Sequence, residues 1–316
     1  MKILVMGSGG VGGYFGAKLA RAGESVTFVA RGAHLDAIRA KGLRVKSTTE
    51  GEFVVASPAT DDPARAGVAD LVLFCVKSYD TGAAARAVRP AVGPDTAILC
   101  LQNGVDNEDK IGEIVGPGHV VGGAAYVLAT IESPGVIAHA AGGRIAFGEM
   151  DGSQTARAGQ ILEAFQRAGI PTELTPRIVQ MLWEKYLFIA AHSGMTAVTR
   201  CPIGVIRSIP ETRRMYRLIL EELAAVAKAA GVELPPETVD GLMGVADGVR
   251  PYKETFFPLP PHMTSSLYHD LTHSRPLELE ALQGHALRLG EKLGVPTPVL
   301  FSVYAALRPY RDGAPA

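Results

Sequence analysis

The sequence predicts a doubly wound α/β sheet over residues 1–174, followed by an all-α region over residues 175–316. Three observations lead there. The first half alternates short, continuous apolar runs with helical patterns, as parallel strands covered on both faces require. The string Gly7-Ser8-Gly9-Gly10-Val11-Gly12 leaves the first apolar run and opens a helix, which makes the sheet Rossmann-type. Beyond about residue 175 strand signals vanish and helical periods run on to Leu307.

Each element has its own signal. Lys2-Ile3-Leu4-Val5-Met6 reads as a strand buried on both faces. Val11, Phe15, Leu19 and Ala22 form one helical stripe, and Gly23 closes that helix. Val26–Ala30 is the second strand, and a helix spans His34–Ala40. Residues 43–57 alternate around Glu50-Gly51 as a small hairpin. Leu71–Val76 and Thr96–Leu101 are further buried strands in a parallel sheet. His119–Ile131, Val136–Ala140 and Ile145–Phe147 follow as strands joined at Ser133-Pro134-Gly135 and Gly142-Gly143. A helix over Ala156–Ala168 and a short strand near Thr172 complete the first half. In the second half, Pro251–Met263 holds four prolines and is expected to be a loop.

Composition narrows the function. The chain has 316 residues, enough for about two domains with cores of their own. Lys plus Arg number 31 and Asp plus Glu 32, a balance without the electrostatic footprint of a nucleic-acid or anionic-membrane partner. Cys75, Cys100 and Cys201 form no CxxC pair, so neither a zinc site nor a dithiol motif is expected. No apolar run reaches the ~18 residues of a membrane helix, and the apolar start is too short and glycine-broken for a signal peptide. The expected compartment is a reducing one, the cytoplasm.

The glycine turn points to a dinucleotide. Gly7 allows the tight turn, Gly9 lets backbone approach a pyrophosphate, and Gly12 lets helix and strand pack closely. The helix start beyond Gly10 and Val11 offers unpaired N–H groups to the anion, and Ser8 lies in the same turn. The second strand ends Phe28-Val29-Ala30-Arg31, with Arg31 19 residues past Gly12. A carboxylate there would accept from a ribose 2′-hydroxyl; a guanidinium pairs instead with a 2′-phosphate. NADP(H) is the expected cofactor.

The order of GxGxxG, Arg31, Val76-Lys77, Gln102-Asn103-Gly104-Val105, Trp183-Glu184-Lys185 and Ser265-Ser266…Glu278 resembles the ketopantoate reductase family. The motifs span nearly the whole chain. The resemblance implies a Rossmann domain and a helical domain flanking a cleft, in which NADPH reduces 2-dehydropantoate to pantoate on the way to pantothenate. It implies that Lys185 is the general acid and that Glu278 lies near the substrate hydroxyl and helps hold the lysine. Ser266 would contact the substrate carboxylate, and Asn103 the substrate or the nicotinamide ribose. Lys77, at the carboxyl edge of the sheet, would meet cofactor phosphate or substrate carboxylate; Glu278 and Asn103 also count among the cofactor contacts.

The residues support such chemistry. Reducing a ketone leaves an alkoxide that needs a proton. Lys185 falls on the stripe Ile178…Met181-Leu182…Phe188-Ile189, where an ammonium is costly without a partner or a task. The chain also departs from the family: asparagines expected four and eight residues after the lysine are replaced by Ile189 and Ser193. His192, two turns past Lys185, either supplies the missing polar contact together with Ser193, or favours a different substituent on the 2-oxo acid, or is a satisfied core histidine. A 2-hydroxy acid dehydrogenase with a more apolar pocket is therefore a second reading, and a non-enzymatic NADP sensor a third. His269-Asp270-Leu271-Thr272-His273 resembles a zinc helix, but its carboxylate is a methylene short and no third ligand follows; no metal is expected. Asp270 is expected to pair with Arg275 or to order the site. Apolar patches on the C-terminal helices would suit a homodimer.

Overall fold

The computed structural model describes residues 1–315. They form two compact units, one of Met1–Gln102 with Asp106–Val179, the other of Asn103–Val105 with the chain from Gln180 on.

The first unit is built on one ten-stranded sheet. In chain order its elements are β1 (Lys2–Met6), α1 (Gly10–Arg21), β2 (Ser25–Val29), α2 (Gly32–Lys41), β3 (Leu43–Ser47), β4 (Gly51–Val55), β5 (Ala59–Thr60), β6 (Ala69–Phe74), α3 (Thr81–Val88), β7 (Val92–Cys100), α4 (Asn107–Val115), β8 (Val120–Ser133), β9 (Val136–Glu149), α5 (Ala156–Arg167) and β10 (Thr172–Leu174). The strands lie in the order β4-β3-β9-β8-β7-β6-β1-β2-β5, with β10 on β9. From β5 to β8 every pairing is parallel. That stretch has the Rossmann order, with the first strand central and the chain reversing direction across the sheet beside it. Alternate residues of the central strands feed two cores. Ile3, Val5, Leu71 and Leu73 pack with Phe15, Leu19 and Phe165 on one face. Leu4, Met6, Val72 and Phe74 pack with Ala85, Val88 and Ile111 on the other. Both faces are covered, as the continuous apolar runs require.

The rest of the sheet is mixed: the hairpin expected over residues 43–57 forms as β3 and β4, and β8 and β9 add a second antiparallel pair to the parallel strands expected around them. The two expected strands Val136–Ala140 and Ile145–Phe147 are one, because Gly142-Gly143 does not end the strand. Tyr126 pairs with Arg144 and Val127 with Gly142, so Gly143 is accommodated as a bulge and the ladder continues. α3 and α4 are helices of the kind that the alternation calls for around these strands, at bounds that the pattern did not define.

The second unit is helical: α6 (Ile178–Thr199), which enters it at Gln180, then α7 (Ile203–Ser208), α8 (Pro210–Ala229), α9 (Thr238–Ala246), α10 (Ser266–Thr272), a π-turn over Glu280–Gly284, α11 (His285–Leu293) and α12 (Pro298–Leu307). α6 carries no apolar stripe. It is buried around most of its circumference from Leu182 to Ala197, as an apolar helix at the centre of a bundle must be. Tyr186 donates its hydroxyl proton to the Leu282 carbonyl, and Gln283 Nε2 donates to the Ala190 carbonyl at 2.8 Å, fixing the π-turn on α6. Glu222 of α8 accepts from the N–H groups of Val299 and Leu300 at 2.9 and 2.8 Å, capping α12. Pro251–Met263 is a loop apart from one bridge, Tyr252 to Phe256. No described helix is long and apolar enough to cross a membrane.

Candidate active site

In the first unit the glycine turn is held from three sides. Gly7 has φ +98°, and a Cβ on it would come within 2.9 Å of Val76, so the turn closes only on glycine. A Cβ on Gly10 would lie 2.0 Å from the Ala129 carbonyl oxygen, so that glycine serves packing against β8. A Cβ on Gly12 would meet the Gly7 carbonyl oxygen at 2.2 Å, the close approach its spacing suggested. Gly9 differs: nothing lies within 4 Å of the place its Cβ would take. Open space beside Gly9, at the N-terminus of α1, fits a pyrophosphate approached by backbone N–H groups.

Ser8 is a tether. Its hydroxyl and its N–H both donate to the Val29 carbonyl, at 2.9 and 3.0 Å, tying the turn to the end of β2. Two residues on, Arg31 is exposed at the start of α2 and makes no ion pair among the described residues. Sequence reasoning missed His34. The Gly135 N–H donates to its Nδ1 at 3.0 Å, so Nε2 carries the proton and donates to the Ser8 carbonyl at 2.9 Å.

Lys77 follows β6 at the carboxyl edge of the sheet. Its turn is positioned by Gln102, whose Nε2 donates to the Val76 carbonyl at 2.9 Å and to Thr81 Oγ1 at 2.8 Å. Thr81 donates onward to the Ser78 carbonyl at 2.9 Å. Nearby Glu108 is 4% exposed, and neither carboxylate oxygen has a hydrogen-bond partner. Burial raises its pKa to about 7, with Asp106 and Asp109 adding to the rise.

The second unit holds the remaining candidates. Asn103 belongs to it, beside Gly104 at φ +115°. Lys185 is 6% exposed on α6. One turn on, Phe188 and Ile189 are half-buried; two turns on come His192 and Ser193, both buried. Ser193 Oγ accepts from Gln283 Nε2 at 3.3 Å and donates to the Ala190 carbonyl at 3.4 Å. Burial lowers the His192 pKa to about 4, partly offset by the Thr264 backbone, which stands outside hydrogen-bonding geometry. Farther along the same face, Thr196 Oγ1 meets Ser265 Oγ at 2.7 Å. Ser265 caps α10 by accepting from the Tyr268 N–H at 3.1 Å, which leaves Ser266 exposed in the first turn. Glu278 is 8% exposed in the turn before the π-turn.

Several neighbours have other work. Glu280 is held by Arg288 at 2.7 Å and by the Tyr304 hydroxyl at 2.9 Å. Asp270 stands 3.9 Å from Arg275, as the sequence suggested. His269 Nε2 bonds Thr264 Oγ1 at 3.0 Å, and His273 Nδ1 bonds the His269 carbonyl at 2.8 Å. Glu184, beside Lys185, takes Lys253 Nζ on both oxygens, at 2.5 and 2.6 Å; the sequence held no signal for that pair.

Two adjoining family descriptions match: Ketopantoate reductase PanE/ApbA over residues 3–152, and its C-terminal counterpart over residues 177–311. The chain belongs to the ketopantoate reductase PanE/ApbA family. It is 30% identical to a 2-dehydropantoate 2-reductase of Mesorhizobium japonicum, over 98% of this chain and 97% of that one. It is 33% identical to a PanE/ApbA family ketopantoate reductase of known crystal structure from Ralstonia eutropha, with a TM-score of 0.88 over 98% of each chain. A D-mandelate dehydrogenase solved with NADH and anilino(oxo)acetate superposes equally well, at TM-score 0.88, but is 22% identical and shares the fold alone. The chain is thus an oxidoreductase of the ketopantoate reductase family, and that fold by itself does not choose the substrate.

Proposed function

We propose that this oxidoreductase uses NADPH to reduce the ketone of a small 2-oxo acid to the 2-hydroxy acid. Ketopantoate, reduced to pantoate, is the substrate its named relatives support and the one to test first. The observation that carries the reading is Lys185, an ammonium 6% exposed on a helix whose residues are mostly apolar. Such a group is kept against its desolvation cost where it has a proton to give.

In this reading the N–H groups beyond Gly9 receive the pyrophosphate, and Arg31 pairs with the 2′-phosphate. Bound NADPH supplies the hydride. Lys185 Nζ donates a proton to the ketone oxygen as it becomes an alkoxide. Glu278 holds the hydroxyl being formed and orients the lysine; Ser266 receives the carboxylate, and Asn103 and Lys77 contact substrate and cofactor. Replacing Lys185 by Ala is expected to lower kcat by roughly 10²- to 10⁴-fold while NADPH affinity stays near wild type. Near-normal turnover in that variant would refute Lys185 as the acid.

A further inference from the structure

The side of α6 next to Lys185 offers a substrate side chain no free polar group. Phe188 and Ile189, one turn along, are the half-buried residues there, and both are hydrocarbon. Ser193 is buried and engaged with Gln283 and the Ala190 carbonyl. Thr196 donates to the His192 carbonyl at 2.8 Å and meets Ser265. The Tyr252 hydroxyl bonds Thr238 at 3.0 Å.

His192 is the informative residue. Both ring nitrogens are sealed from water, and neither has a hydrogen-bond partner. Its ring lies parallel to Phe188, centroids 5.7 Å apart at 1°. Phe188 meets the edge of Phe256 at 5.5 Å, and Phe256 stacks on Tyr252 at 5.9 Å. His192 therefore serves as a neutral plate at the end of an aromatic row, not as a donor aimed at a ligand.

We propose that Phe188 and Ile189, backed by His192 and Phe256, form a hydrocarbon wall that selects 2-oxo acids with aromatic or branched side chains bearing no hydroxyl. The inference rests on the 2-oxo acid reduction proposed above and narrows its substrate class. A hydroxyl set against this wall loses its water and finds no partner. Hydrocarbon pockets reject an added hydroxyl by up to about a hundredfold.

The test compares kcat/KM, with NADPH, for ketopantoate, for trimethylpyruvate (ketopantoate without its hydroxyl) and for phenylglyoxylate. The two hydroxyl-free acids are expected to exceed ketopantoate by roughly 10- to 100-fold. Ile189→Asn places a donor one turn from Lys185 and is expected to shift that ratio roughly tenfold toward ketopantoate. Should that variant not fold, the wild-type ratio decides alone. If wild type handles ketopantoate as well as trimethylpyruvate, or better, the wall does not select, while 2-oxo acid reduction stands. If none of the three acids is turned over, the reduction itself is refuted and the inference with it.

Discussion

Glu108 shows how far one side chain can depart from what its position in the chain suggests. In sequence it is an ordinary acid in the first turn of a helix, where the helix dipole would welcome its charge. In the fold it lies on the buried side of α4, its pKa raised from 4.5 to about 7. Between those values the native state holds a proton that the unfolded chain has released, so stability falls as pH rises through that range. Glu108→Gln removes the titration while keeping the shape. Thermal unfolding is expected to show the variant several degrees above wild type at about pH 8, the gap narrowing at about pH 5. A gap independent of pH would show that Glu108 is not the group responsible. His192 has the opposite sign: its pKa falls from 6.5 to about 4, so its contribution is present at neutral pH and lost on acidification. Lys185 was legible because a charge interrupts an apolar pattern. The burial of Glu108 and the sealing of His192 were not, because both depend on neighbours distant in sequence.

The strand–turn–helix β1-Gly7-to-Gly12-α1 is the element where sequence and structure agree most closely, and its glycines divide by task. Gly9→Ala puts a methyl into open space, so the melting temperature is expected to stay near wild type while NADPH affinity falls. Gly10→Ala drives a Cβ to 2.0 Å from the Ala129 carbonyl oxygen and is expected to lower the melting temperature. Thermal unfolding and NADPH titration of both variants check this; undiminished NADPH binding by Gly9→Ala would remove Gly9 from the phosphate contact. Elsewhere local pattern misled. α6 looks striped in sequence because Ile178, Leu182, Lys185 and Ile189 fall at helical spacing. The residues between them, such as Trp183, Tyr186 and Leu187, are buried as well, so spacing did not reveal the face that matters. Gly142-Gly143 looks like a break in sequence because glycine weakens a strand and favours turns, but the β8 ladder continues past it.

For the molecule as a whole, cofactor binding should register as stability. At about a hundred times Kd, NADPH is expected to stabilise the fold by roughly 2.7 kcal/mol, visible as a raised melting temperature. NADH at equal concentration should raise it less, and Arg31→Ala should abolish the difference. Equal shifts for both cofactors in the wild type would overturn the role of Arg31. Most of the order of strands and helices in the first half, the strand–turn–helix at the glycines and the place of a lysine on α6 could be read from residue order, because each rests on periodicity or on neighbours within about two turns. Long-range pairing lay beyond that reach. β3 joins β9 across some ninety residues, Glu222 caps a helix far along the chain, and His34 and Gln102 brace the two turns at the carboxyl edge. The same holds for the wall beside Lys185. Whether Ser193 and His192 present polar atoms or spend them depends on Gln283, Phe188 and Phe256, and such contacts come into being only when the chain has packed.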